Sequence, residues 1–180
     1  MLKIENSVLV VIDVQGKLAG LMHDPGYLRH VQGMIRAAQI LGIPIILTEQ
    51  APEKIGNTIS EIREMLPENI PIKKQTFSCC GEPVFLETIK DSRRKQILVC
   101  GIEAHVCVYQ TVRDLRTAGH EVYLVTDAVS SRSIQNTVIG IKRAEDDGAT
   151  LTTLEMIITE LIQSTKHPKF KEIMALLKNA

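Results

Sequence analysis

Aromatic residues are scarce: three tyrosines, three phenylalanines and no tryptophan make up 3% of the 180 residues. Few side chains are therefore on hand to stack on a planar ligand. An excess of charge is missing as well, because 21 basic residues balance 21 acidic ones and the longest basic run is the "RRK" at 93–95. Binders of nucleic acid carry a basic footprint, so no nucleic-acid partner is expected. Long apolar runs are also lacking. "VLVVI" (8–12) and "IPIIL" (43–47) fall far below the ~20 residues that span a bilayer, so no membrane partner is expected. The opening "MLKIENS" has neither an apolar h-region nor a small-residue cleavage site, which leaves a cytoplasmic location as the expectation. The four cysteines lack a framework spacing and read as reduced thiols rather than disulfides.

Several chemical motifs are absent too. "DVQGKLAG" does not supply the G-x-G-x-x-G of a dinucleotide site, and no G-x-S-x-G elbow occurs. The pair "CC" at 79–80 lacks both C-x-x-C spacing and a matching second half. His105 and Cys107 stand close together, but no further His or Asp cluster adjoins them in sequence. Neither a cofactor nor a metal is expected.

What is present is an alternation. The short apolar runs "VLVVID", "IPIILT", "IPIKK", "KQILVCG", "HEVYLVTD" and "ATLTTL" are separated by longer stretches of helical period. That pattern predicts a three-layer α/β/α domain over 1–180, a Rossmann-like, doubly wound parallel sheet of six strands. Helices are predicted near 27–42, 58–66, 82–92, 105–119, 134–147, 153–164 and 168–178. Gly119 and Gly148 stand where helices end, and Thr152 with Glu155 has capping-box spacing. The amphipathic C-terminal stretch suits a contact in a homo-oligomer or packing on its own sheet equally well.

With the common order 3-2-1-4-5-6, strands 1 and 4 become neighbours at the point where the winding reverses, and ligands bind outside the carboxyl ends there. Asp13 and Cys107 follow those two strands. Taken singly, each residue has a plain alternative. Asp13 could cap a helix or solvate a strand end. Cys107, predicted in the first helical turn, could be an ordinary buried thiol. If it is instead a nucleophile, the helix N-terminus is expected to lower its pKa. Lys73 and Lys74 point to opposite faces of a strand, so at most one enters a site, and both could simply be solvated.

Taken together, these residues and their neighbours resemble the isochorismatase-like cysteine hydrolases. The resemblance runs through "VLVVIDVQ" (8–15), "ILTEQAPEKIGNTISEI" (46–62), "KKQTFS" (73–78), "ILVCGIEAHVCV" (97–108), "VYLVTDAVSSRS" (122–133) and "GATLTTLEMIITELI" (148–162). It implies a triad of Asp13, Lys74 and Cys107, with Lys74 chosen because Phe77 and Ser78 complete the family's lysine frame. It further implies a cis peptide at Ile102–Glu103 and an oxyanion hole formed by the backbone N–H groups of Glu103 and Cys107. Gln15, Thr48, Gln50, Phe77 and His105 are near enough in these motifs to line a substrate pocket.

Metal-binding members carry an Asp-x-His motif and a further His after the second strand, and "LTEQAPEKIGNT" has no histidine. The resemblance is thus to the metal-free subgroup. The implied activity is hydrolysis of a small-molecule amide C–N bond through a thioester on Cys107. Its rivals are an Asp13-only vinyl-ether hydrolase and a catalytically silent interaction protein of the same fold.

Overall fold

The computed structural model describes residues 1–178. Its strands are β1 (Ser7–Ile12), β2 (Ile45–Gln50), β3 (Ile72–Lys74), β4 (Gln96–Ile102), β5 (Glu121–Ser130) and β6 (Thr150–Thr152). They form one parallel sheet in the order β3-β2-β1-β4-β5-β6, the expected doubly wound arrangement. The helices are α1 (Gly16–Ala19), α2 (Tyr27–Leu41), α3 (Pro52–Ile55), α4 (Ser60–Arg63), α5 (Pro83–Ser92), α6 (Tyr109–Thr117), α7 (Ile134–Asp146), α8 (Leu154–Ile162) and α9 (Phe170–Leu177).

Why the strands are apolar throughout follows from the pleat, because successive side chains feed opposite faces. In β1, Leu9 and Val11 enter one core with residues of α2, α8 and α9, including Met34, Ile158 and Ile173. Val8, Val10 and Ile12 enter the other core with Phe85 of α5 and Val112 and Leu115 of α6. All six β1 positions are buried. Helix α9 packs on α2 and α8, with Ile173 fully buried. No helix among the described residues is long and apolar enough to cross a membrane.

Some local expectations needed correction. The helix predicted over 58–66 is a single turn, α4, followed by turns that lead into Pro67, a residue that disfavours helix in its predecessor. Helix α8 is capped by Thr153, whose side chain accepts from the Met156 N–H, and not by Thr152, which is the last residue of β6. Gly119 and Gly148 do terminate their helices, with φ of +87° and +91°.

Two glycines set the spacing of the elements that matter below. Gly101, in β4, has φ +119°, and a Cβ there would lie 2.1 Å from the Ile12 carbonyl oxygen. Only glycine allows the ends of β1 and β4 to approach this closely. Gly140 of α7 lies against the segment after β4, where a Cβ would come within 2.7 Å of the Ala104 oxygen.

Candidate active site

Three strand registers bring the site together. Ile12 stands opposite Thr48 on one side and Gly101 on the other, while Gln50 stands opposite Lys74. The residues that follow or occupy these positions therefore converge at the carboxyl edge of β1, β2, β3 and β4, where the winding reverses.

Asp13 leaves β1 with φ +52°, a left-handed conformation that aspartate tolerates better than most residues, and it is 3% exposed. Its Oδ1 accepts from the Thr48 hydroxyl at 2.7 Å. Its Oδ2 lies 2.7 Å from the Lys74 ammonium. No donor among the described residues meets Oδ2 in the geometry of an aligned hydrogen bond, so its contact with Lys74 is one of charge.

The strand pleat separates the two lysines: Lys73 is exposed and Lys74 is 1% exposed. In addition to its ion pair with Asp13, Lys74 donates from Nζ to Gln50 Oε1 at 2.7 Å, to the Phe77 carbonyl at 3.0 Å and to the Thr76 carbonyl at 3.2 Å. Four protein oxygens thus surround a group with three N–H bonds. Burial works against this charge, but the Asp13 carboxylate outweighs it and holds the ammonium above the ordinary lysine value.

Cys107 lies in a π-helical turn, Ala104–Val108, that runs directly into α6. The expected lowering of its pKa does not occur. Burial, with the thiol's residue only 7% exposed, is the largest influence and pushes it well above the ordinary cysteine value. The charge of Asp13 acts in the same direction, against an opposing pull from Lys74. The low dielectric and the neighbouring carboxylate outweigh the helix terminus, and the thiol is protonated at rest.

The remaining predicted residues fall into distinct places. The peptide Ile102–Glu103 is cis. The Glu103 carbonyl accepts from the Val106 and Val108 N–H groups, and its carboxylate pairs with Arg132 at 2.8 Å. Gln15 is fully buried: its Oε1 accepts from the Gln50 N–H at 2.6 Å, and its Nε2 donates to the carbonyls of Gly56 and Gln50. Gln50 passes the link on to Lys74. Both glutamines therefore brace the ends of β1, β2 and β3. Phe77 is 56% exposed and leaves its ring free, while His105 places Nδ1 3.0 Å from the Ser131 hydroxyl.

One neighbour of the site carried no sequence signal of its own. Cys79, set aside as half of "CC", is fully buried, with Sγ 3.9 Å from Thr48 Oγ1 and its N–H donating to the Thr111 hydroxyl at 3.0 Å. Its only hint was its place directly after the lysine frame. Burial, reinforced by Asp13, pushes its thiol up to about 12.

The "Isochorismatase domain" family description matches residues 7–156 of this chain. The secreted isochorismatase effector Isc1 of Phytophthora sojae is 37% identical over 178 residues, covering 96% of this chain and 85% of that protein. Isochorismatase domain-containing protein 2 of Danio rerio is also 37% identical over 178 residues, covering 98% of this chain and 89% of that protein. A solved structure described as the MAR1 ribonuclease of Caenorhabditis elegans superposes with a TM-score of 0.92 at 42% identity, over 98% of this chain and 92% of that one. With the sheet order, the domain match and these full-length relatives in agreement, the chain belongs to the isochorismatase family and has its hydrolase fold.

Proposed function

We propose that this protein hydrolyses a C–N bond of a small non-peptide amide with Cys107 as nucleophile, Asp13 as proton carrier and Lys74 as a fixed charge. The observation that carries the reading is the buried Lys74–Asp13 pair beside the buried Cys107 thiol, in which Asp13 Oδ2 has no aligned hydrogen-bond donor. A base that is held in place yet has an accepting oxygen to spare suits a thiol that must lose its proton only when it attacks.

In the first half-reaction the Cys107 S–H bond breaks, the proton passes to Asp13, and the sulfur lone pair forms a bond to the carbonyl carbon. The N–H groups of Glu103 and Cys107 receive the oxyanion; Cys107 lies in the turn that opens a helix, where amides lack intrahelical acceptors. Collapse of this adduct breaks the C–N bond, and Asp13 returns the proton to the leaving amine. Water, losing a proton to Asp13, then releases the acid and restores the thiol. Lys74 has no N–H left over for substrate, so its part is to stabilise charge on Asp13 and on the sulfur. Phe77 and His105 are the proposed substrate contacts, and Gln15, Thr48 and Gln50 the framework beneath them.

The test is a screen of small primary and secondary amides for amine release, with intact mass spectrometry for an acyl group on Cys107. Cys107→Ala is expected to lose ~10³-fold or more in turnover, as removal of a nucleophile that works within a unit does. Wild-type turnover by Cys107→Ala would refute the reading. Activity that survives alkylation of Cys107 would favour the Asp13-only vinyl-ether chemistry. No turnover of any amide, with an inert thiol, would favour the silent interaction protein. An RNA substrate belongs in the same screen because of the activity in the C. elegans relative's description.

A further inference from the structure

Beneath the triad lies a chain of three contacts, of which the proposed mechanism uses only the last. The Cys79 thiol reaches Thr48 Oγ1 at 3.9 Å, Thr48 donates to Asp13 Oδ1 at 2.7 Å, and Asp13 Oδ2 faces Lys74 at 2.7 Å. Thr48 is 1% exposed and Cys79 fully buried, so water does not substitute for either contact. A hydroxyl has one hydrogen to give. With a thiol on its accepting side, the Thr48 hydrogen is directed at Asp13, and Oδ1 is thereby committed as an acceptor. A proton on Oδ1 would have to take that oxygen's second lone pair and would weaken its hold on the Thr48 hydrogen.

We propose that Thr48 is a positioning residue that decides which Asp13 oxygen takes the Cys107 proton, reserving Oδ2 for it, and that Cys79 holds the Thr48 hydroxyl in the required direction. This rests on the cysteine-nucleophile reading above. The groups that face Asp13 are Thr48 from β2, Lys74 from β3, Cys79 from the segment after β3 and Cys107 from the turn after β4. Of the neutral groups among them, only Thr48 presents an O–H. In the acylation step the Cys107 S–H bond breaks, its electron pair goes to the new S–C bond, and the proton arrives on Oδ2. No other reactant is required.

The contact also gives the buried Cys79 thiol a use. The thiol, held protonated by burial and by Asp13, keeps a hydrogen to offer at neutral pH. The Thr111 hydroxyl, which accepts from the Cys79 N–H, stands one helical turn beyond Cys107 and ties this support to the helix that carries the nucleophile's turn.

The experiment uses p-nitrophenyl acetate as an acyl donor and follows both nitrophenolate release and the acetyl group on Cys107 by intact mass. Wild type and Cys107→Ala establish the underlying reading: if wild type gains no acetyl group that Cys107→Ala lacks, the nucleophile assignment fails before Thr48 is considered. Given acylation of wild type, Thr48→Val keeps the shape and removes the hydroxyl. Its maximal acylation rate is expected to fall ~10–100-fold, the worth of a hydrogen bond to a charged group, with the half-saturating concentration little changed. Thr48→Ser, which keeps the hydroxyl and loses a methyl group, is expected to recover most of the rate. Cys79→Val, which removes the thiol from Thr48, is expected to show a smaller loss in the same parameter, and it carries the test if Thr48→Val does not fold. The proposal is overturned if Thr48→Val acylates at the wild-type rate, if Thr48→Ser is as slow as Thr48→Val, or if Cys79→Val is unchanged.

Discussion

Removal of the Lys74 charge is the most informative single perturbation, because the two members of the buried pair are supported unequally. Lys74→Met leaves Asp13 with one short hydrogen bond, from Thr48, and leaves Gln50 Oε1 without its donor. Asp13→Asn, by contrast, leaves the ammonium among three neutral oxygens, from Gln50, Phe77 and Thr76. Breaking one side of a buried pair costs about 3–5 kcal/mol, since the remaining charge is stranded. Lys74→Met is expected at the upper end of that range and Asp13→Asn at or below the lower end. For a chain of this size about 1 kcal/mol corresponds to about 2–4 °C in Tm, so Lys74→Met should melt about 10–20 °C below wild type. The double variant replaces the pair by neutral groups and should recover much of the Lys74→Met loss, short by about 1–3 kcal/mol for the orphaned Gln50 oxygen. Urea denaturation and thermal melts of the three variants at pH 7 measure all of this. The reasoning fails if Lys74→Met melts within a few degrees of wild type, if Asp13→Asn is the more damaging of the two, or if the double variant is as unstable as the two losses summed.

Two further outcomes follow from the titration of the thiols. Burial and Asp13 both hold the Cys107 thiol up while Lys74 pulls it down, so Asp13→Asn should speed iodoacetamide labelling of Cys107 at pH 8 while abolishing turnover; slower labelling would contradict the direction of that influence. Cys79 and Cys80 are raised to about 12 and about 11, so in alkali the unfolded chain sheds these protons first and the folded state binds more. Their contribution to stability is complete below about pH 9 and is lost as pH climbs towards 11–12, at up to about 1.4 kcal/mol per pH unit for each thiol. Urea midpoints from pH 8 to 10.5 should therefore fall, and Cys79→Ala should fall less steeply; equal slopes would show that Cys79 ionises alike in both states.

Much of this arrangement was legible in residues alone. Six apolar runs marked the strands, the common doubly wound order supplied their arrangement, and its reversal of winding placed Asp13 and Cys107 at neighbouring strand ends. Periodicity could not separate Lys73 from Lys74, because consecutive strand residues differ only in the face they occupy, and that is a property of the sheet. Helices α1 and α3 were invisible for the same kind of reason: four residues are too few to show a period of 3.6. The Cys107 titration was misjudged because a helix terminus is readable from sequence whereas depth of burial and a carboxylate from another strand are not. Cys79 escaped notice because its significance lies wholly in a contact across 31 residues of chain.

Gly101 bears on how a fold of this kind can change its substrate. The approach of β4 to the Ile12 carbonyl is set by main-chain atoms, so the spacing of the strand ends that carry Asp13 and the Cys107 turn does not depend on the side chains around them. The proposed substrate contacts, Phe77 and His105, could then change while the proposed reacting atoms keep their spacing. Recognition and chemistry are separable inheritances here, and the divide between them is a missing Cβ.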